Sequence, residues 1–155
     1  MQAKLSNVIT RDLVTVPLGT FLSVACEIME QKKFRHLPVA DGDGKVVGII
    51  SKRGLNYIRN PEKTPVEYVM ASPVATVDQN SPLRSAIFKM LELKISSLLI
   101  SDKSGAIVGI VTTDDLLWYL SYILEDSKES RFSFSSLFDL QTIGEAAQQI
   151  SNAGI

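Results

Sequence analysis

Hydrophobic and polar positions follow a helical period in two separate stretches of the chain. Apolar residues recur at i, i+3, i+4 and i+7 in both stretches: Leu22, Ala25, Cys26 and Met29, and again Leu83, Ala86, Ile87 and Met90. This spacing places the apolar side chains on one face of a helix. Each stretch therefore predicts an amphipathic helix with one buried face.

Short apolar runs flank each predicted helix and predict β-strands. One strand precedes the helix and two strands follow it, joined by a tight turn. The predicted strands are Val14–Val16, Leu37–Ala40 and Val46–Ser51 in the first half, and Ala75–Val77, Leu98–Ser101 and Ile107–Thr112 in the second. A further helix is predicted after the last strand of each half. Both halves thus have the order β-α-β-β-α.

The two halves are an internal repeat. Gly48 in VVGIIS and Gly109 in IVGIVT lie 61 positions apart (109 − 48), and the halves align at this offset without a gap. Agreement at many positions without an insertion indicates a duplication. A unit of about 50 residues is too small to bury its own core well, so we expect the two repeats to pack together.

A short linker, Arg59 to Pro65, separates the repeats. At its end Thr64, Pro65 and Glu67 predict a helix start with an N-cap, an N1 proline and a capping-box acid. We expect a first domain over residues 5–58, a second over 66–124, and a tail over 125–155. The tail would consist of a serine-rich linker followed by a short helix.

Composition narrows the class of protein. Of the 155 residues, 45% are hydrophobic and 21% are charged, which is typical of a folded globular chain. The formal charge of −1 provides no field that would hold nucleic acid or an anionic membrane. No apolar run approaches the roughly 18 residues that span a bilayer, and the N-terminus lacks the apolar core of a signal peptide. We therefore expect a cytoplasmic protein.

The motif G-h-h-[S/T]-x-x-D closes the second repeat as Gly109–Asp115, GIVTTDD. The first repeat has GIISKRG at Gly48–Gly54, where Gly54 replaces the acid. With the duplication and the HLPV segment at His36–Val39, these motifs resemble the cystathionine β-synthase (CBS) domain family, whose members work in pairs called Bateman modules. The resemblance covers about Leu5 to Leu124. It implies an α/β fold of two tandem CBS domains related by a pseudo-twofold.

The resemblance also implies a regulatory function, in which a cleft between the repeats binds an adenine nucleotide (AMP, ADP or ATP) or S-adenosylmethionine. Carried over to this sequence, one site would use Ile110, Thr112 and Asp115 with Leu13, Val14, Arg35 and His36. A second, weaker site without a ribose acid would use Ser51 and Lys52 with Val74, Ala75, Ser96 and Ser97. No catalytic cofactor and no metal are expected.

Each motif has a structural interpretation beside the functional one. Thr112 and Asp115 have the spacing of a capping box as well as of a ribose-binding pair. The basic start of the helix after the first repeat, Lys52-Arg53, could hold a phosphate, or could pair with the acidic start of the other, Asp114-Asp115. Arg35 could stack on a base or reach a phosphate. His36 is the only histidine, so no multi-histidine metal site is available.

These features allow three functions to be weighed: a ligand sensor, a ligand-free scaffold and an enzyme. We expect a homodimer formed through the helix carrying Trp118, Tyr119 and Tyr122, in which the module senses an adenosyl ligand for a regulated partner protein. The alternative is a ligand-free scaffold for protein interaction. An enzyme is disfavoured because the sequence offers no nucleophile–base pair, metal cluster or P-loop. Neither nucleic acid nor a membrane is an expected partner.

Overall fold

A computed structural model describes residues 4–126 of the chain. It divides into two compact units, Met1–Tyr119 and Leu120–Ile155. All six strands and the first three helices lie in the first unit. In the second unit only the end of the last helix is described, so the predicted serine-rich linker and terminal helix lie outside the described residues, apart from two helical positions beyond Leu124.

The elements follow the predicted order in both repeats. The helices are α1 (Leu22–Lys32), α2 (Lys52–Leu55), α3 (Leu83–Leu93) and α4 (Thr113–Asp126). The strands are β1 (Val16–Pro17), β2 (His36–Ala40), β3 (Val46–Ser51), β4 (Thr76–Asp78), β5 (Ser97–Ser101) and β6 (Ile107–Thr112). A short 3-10 turn begins each repeat, at Leu5–Asn7 and Val66–Tyr68.

The strands form two separate three-stranded sheets, ordered β1-β2-β3 and β4-β5-β6. In each sheet the first pair is parallel and the second antiparallel. Both antiparallel pairs change register at one equivalent place, after Val39 in the first sheet and after Ile100 in the second. The predicted α/β class and the β-α-β-β-α repeat are confirmed.

The repeat extends to the backbone conformation where α1 and α3 end. Lys33 and Lys94 adopt left-handed conformations, with φ of 57° and 54°. The following amide donates to the carbonyl oxygen five residues back, Phe34 to Met29 at 2.9 Å and Ile95 to Met90 at 3.0 Å, which closes each helix as a Schellman motif. A residue other than glycine held in this region costs about 1–2 kcal/mol, so both repeats carry lysine at a position that glycine would occupy more easily.

Each hydrophobic core includes the first residues of the other repeat, ahead of that repeat's first strand. Val66, at the start of the second repeat, is fully buried in the first-repeat core with Leu22 and Leu37. Leu5, at the start of the first repeat, is fully buried in the second-repeat core with Leu83 and Leu98. We call residues 4–10 and 65–71 the crossing segments. Because the exchange is reciprocal, neither repeat completes its core without the other.

Backbone pairing holds both crossing segments against the outer strand of the opposite sheet. Thr10 exchanges two hydrogen bonds with Ile110 of β6, both 2.9 Å. Ala71 exchanges two with Ile49 of β3, at 2.8 and 3.1 Å. The segments pass close to the motif glycines, which lie one residue before these two contacts.

Two local predictions are corrected. The helix start predicted at Thr64, Pro65 and Glu67 is wrong: the chain makes only a 3-10 turn there. The Thr64 hydroxyl donates back to the Asn60 carbonyl at 2.8 Å, and the Glu67 carboxylate accepts the Gly19 N–H at 2.9 Å. Glu67, which was expected to cap a helix, thus accepts a backbone N–H from a turn of the first repeat. The adjacent Val66 packs in the first-repeat core.

The first strand of the first repeat is also displaced. Val14–Val16 was predicted, and β1 occupies Val16–Pro17, where it pairs with Val39 and Ala40.

The helices that end the two repeats differ in length. The helix that follows β3 is a single turn, whereas the equivalent α4 has 14 residues. Gly54 lies inside α2, and glycine disfavours a helix interior by about 1 kcal/mol.

Candidate functional site

Two clefts lie between the repeats, with volumes of about 280 and 750 Å³, which we call the small and the large cleft. The small cleft brings together all seven residues of the first predicted site: Leu13, Val14, Arg35, His36, Ile110, Thr112 and Asp115. The large cleft brings together all six residues of the second predicted site: Ser51, Lys52, Val74, Ala75, Ser96 and Ser97. The two sets of residues that the family resemblance predicted to lie together therefore line two different clefts, one set in each.

The two clefts are lined by equivalent positions of the repeat. At the offset of 61, Leu13 of the small cleft corresponds to Val74 of the large one, and Thr112 corresponds to Ser51. Arg35 and His36 line both clefts. Arg35 and His36, at the point where β2 begins, therefore form part of the wall between the clefts.

Thr112 and Asp115 form a capping box at the start of α4. The Thr112 N–H and hydroxyl both donate to Oδ2 of Asp115 at 2.7 Å, and the Asp115 N–H donates to the Thr112 hydroxyl oxygen at 3.3 Å. The capping interpretation is confirmed. Oδ1 of Asp115 accepts no hydrogen bond from the described residues, so one carboxylate oxygen is available to a ligand in the small cleft.

The equivalent helix start in the first repeat has half of this arrangement. The Ser51 hydroxyl oxygen accepts the Gly54 N–H at 3.4 Å, but Gly54 supplies no carboxylate in return. A Cβ built on Gly54 would meet only the Ser51 hydroxyl oxygen, at 3.5 Å, which is an ordinary contact. Lack of space for a side chain therefore does not explain why glycine stands here in place of the acid.

An ion pair and a hydrogen bond connect the repeats where the two clefts adjoin. The Arg35 guanidinium donates to Oδ1 of Asp114 at 2.8 Å, with both side chains half exposed. Nε2 of His36 lies 2.9 Å from the Ser96 hydroxyl. Burial lowers the pKa of His36 from its usual 6.5, and the positive charge of Arg35 lowers it further, against the opposing effect of Asp114 and Asp115. His36 is therefore neutral at pH 7 and one ring nitrogen can accept a hydrogen bond.

The alternative in which Lys52 and Arg53 pair with the acids of α4 is wrong. Lys52 lies 3.6 Å from Glu30 in an exposed pair, which contributes little to stability. Asp114 takes Arg35 as its partner. Arg53 makes neither an ion pair nor a side-chain hydrogen bond among residues 4–126, and it lines the large cleft.

The structure adds residues to each cleft that the sequence reasoning missed. Lys33 and Trp118 line the small cleft, and Lys94 lines the large one. Arg53, which the sequence analysis considered as a phosphate ligand, also lines the large cleft. One signal for the two lysines was present, because Lys33 and Lys94 are identical residues at the repeat offset and directly follow the predicted helices. Trp118 was assigned to a dimer surface; its side chain is 77% exposed and also borders the small cleft.

Within residues 4–126 no group of three or more His, Cys, Asp or Glu side chains could hold a metal ion. Over the same part of the chain, none of the helices has the length and apolar character needed to cross a bilayer.

Comparisons with known proteins match both repeats. The sequence model of the CBS domain matches residues 5–57 and 66–122. A CBS domain-containing protein of Dictyostelium discoideum is 29% identical over 139 residues, covering 81% of this chain and 96% of that protein. A homoserine O-acetyltransferase of Methanohalobium evestigatum is 28% identical over 111 residues. That match covers 72% of this chain and only 23% of the acetyltransferase, so the chain spans less than a quarter of that relative.

Among solved structures, one CBS domain pair crystallised with 5′-methylthioadenosine and S-adenosyl-L-methionine has a TM-score of 0.71 and 25% sequence identity. The similarity covers 78% of this chain and 98% of that domain pair. The two-repeat architecture described above is therefore shared with a structure in which adenosyl compounds are bound.

Proposed function

Because this chain belongs to the CBS domain family, we propose that it is a regulatory module that binds an adenine nucleotide or another adenosyl compound between its repeats. The observation that carries the proposal is the small cleft, where Oδ1 of Asp115, which accepts no hydrogen bond from residues 4–126, lies with Thr112 in a pocket walled by Leu13 and Val14. A carboxylate accepts hydrogen bonds from ribose hydroxyls, and apolar walls suit a purine. The adenosyl ligands of the similar domain pair support this choice.

Asp115→Ala tests the ribose role. A hydrogen bond to a charged group is worth about 1.5–3 kcal/mol, so we expect the affinity of the small cleft for the adenosyl compound that it binds to fall about ten- to a hundredfold. Titration calorimetry with AMP, ADP, ATP and S-adenosylmethionine measures the change. Asp43→Ala, which removes an exposed acid in the β2–β3 turn, is the matched control.

Gly54→Asp is the converse of Asp115→Ala, because it adds an acid where one is missing. The site has room for a side chain. The variant installs the missing acid three residues after Ser51, and we expect the large cleft to gain affinity for adenosine. Unchanged affinity in both Asp115→Ala and Gly54→Asp would contradict the ribose role and leave Asp115 as a cap alone.

A ligand-free interaction scaffold is the second candidate function. One observation favours it: Oδ2 of Asp115 and Oδ1 of Asp114 are already held by protein donors. The calorimetric titrations separate the two functions, since a scaffold would give no heat with any of the four adenosyl compounds.

We propose further that the module is a cytoplasmic homodimer, regulating a partner protein or a further domain rather than catalysing a reaction. Leu117 and Trp118 of α4 are 63% and 77% exposed, and exposed apolar side chains grouped on one helix favour association. We expect light scattering to give a dimer mass, and Leu117→Ala to shift it toward the monomer. Leu117 does not line either cleft, so ligand binding serves as the control for folding. A monomer mass for the unmodified chain would contradict the dimer.

A further inference from the structure

The clefts differ in charge at equivalent positions of the repeat. Three carboxylates line the small cleft, at Asp12, Asp114 and Asp115. At the offset of 61 the large cleft region has Pro73, Arg53 and Gly54 in their places. The small cleft thus combines acids and bases, while four cationic side chains and no carboxylate from the described part of the chain line the large one.

Two of the four cations in the large cleft are partly neutralised. Lys52 lies near Glu30, and Arg35 is paired with Asp114. The other two, Arg53 and Lys94, make neither an ion pair nor a side-chain hydrogen bond with any residue between 4 and 126. Lys94 also holds the left-handed position that ends α3, with φ of 54°. Two cations that have no partner within the described residues, on different elements, therefore line one cavity.

The difference in volume between the clefts also favours phosphate binding in the large cleft. The large cleft, at about 750 Å³, is well within the usual range for a ligand pocket, about 300–1,000 Å³. The small cleft, at about 280 Å³, lies at the lower limit of this range. A chain of phosphates needs both the additional room and positive charge. Asp12 and Asp115, which have no ion-pair partner among residues 4–126, oppose its binding in the small cleft by repulsion.

We propose that the two clefts sort adenosine ligands by charge. The large cleft takes a nucleotide with two or more phosphate groups, which Arg53 and Lys94 contact. The small cleft takes an adenosine-type ligand with little or no negative charge. This inference rests on the proposed function, and it assigns a ligand class to each cleft.

Calorimetry with ATP and with adenosine as probes, in buffer containing EDTA, tests the assignment. A single contact between a cation and phosphate is worth about tenfold in affinity. Arg53→Ala and Lys94→Ala should each weaken ATP about tenfold and leave adenosine unchanged. Arg53→Asp, which places in the large cleft the charge that Asp114 brings to the small one, should weaken ATP further. Lys103→Ala, in the exposed β5–β6 turn, removes one positive charge outside both clefts and serves as the control.

Trp118 reports separately on the small cleft because it is the only tryptophan in the chain. Adenosine should change its fluorescence, and ATP should not do so at concentrations that saturate the large cleft. If ATP changes Trp118 fluorescence and loses affinity in Asp115→Ala but not in Arg53→Ala, sorting by charge is overturned while the proposed function stands. If neither probe binds the full chain, sorting by charge is overturned, and the proposed function is overturned with it when AMP, ADP and S-adenosylmethionine also give no heat.

Discussion

Leu5→Ala is expected to lower the free energy of unfolding by about 2–5 kcal/mol, the usual cost of truncating a fully buried leucine. Leu5 has no exposed surface and packs in the second-repeat core, although it is the first residue of the first repeat. The loss should therefore appear in the second repeat. Chemical denaturation measures the total, and hydrogen exchange should reveal greater loss of protection in β5 and β6 than in β2 and β3.

Two variants make the experiment specific. Val66→Ala removes the equivalent side chain of the other crossing segment and should weaken protection in β2 and β3 instead, because Val66 belongs to the first-repeat core. Leu18→Ala truncates a leucine that is 41% exposed and should change stability by no more than about 0.5 kcal/mol. Equal loss of protection in both sheets for Leu5→Ala would contradict the exchange of segments between the cores.

Gly109→Ala is expected to destabilise the chain by about 1–3 kcal/mol, the cost of inserting a methyl group where there is no space. A Cβ on Gly109 would lie 2.8 Å from the backbone oxygen of Thr10, in the crossing segment. Gly48→Ala should cost less. The added Cβ there would overlap only the side chain of Met70, which is flexible and can move.

Thermal or chemical denaturation of the two variants provides the comparison. Gly42→Ala is the matched control, since no atom of residues 4–126 lies within 4 Å of a Cβ at that position. We expect it to change stability by less than about 0.5 kcal/mol. A cost for Gly48→Ala that equals or exceeds that for Gly109→Ala would mean that the close approach of the backbone is not what requires glycine in the motif.

The sequence predicted the arrangement of each repeat because local patterns determine it. The helical period identified α1 and α3, and turn residues bounded the antiparallel pairs, so β3 and β6 were placed with their observed ends. The exchange of segments between the cores was not predictable in this way. An apolar residue such as Leu5 signals that it will be buried, but no local signal specifies which of two similar cores will receive it.

The same distinction applies to the clefts. Residues that matched the family motif could be assigned to one cleft or the other, because the family resemblance implies two sites at equivalent positions of the two repeats. The partners of charged side chains could not be assigned: Asp114 pairs with Arg35, which is 79 positions away in sequence, rather than with Lys52 or Arg53. Long flexible side chains have several acids within reach, and small differences in distance and solvation decide among them.

The reciprocal position of the crossing segments suggests how the chain arose. Two identical subunits that exchange an N-terminal arm bury each arm in the partner's core, and each subunit is incomplete alone. Leu5 and Val66 occupy just these places, one repeat length apart. Duplication of a gene for such an arm-exchanged homodimer, followed by fusion of the copies, would join its two subunits without any rearrangement of their contacts. Once they were joined, the two formerly identical ligand sites could acquire different charges independently, which is impossible for a symmetric dimer encoded by a single copy.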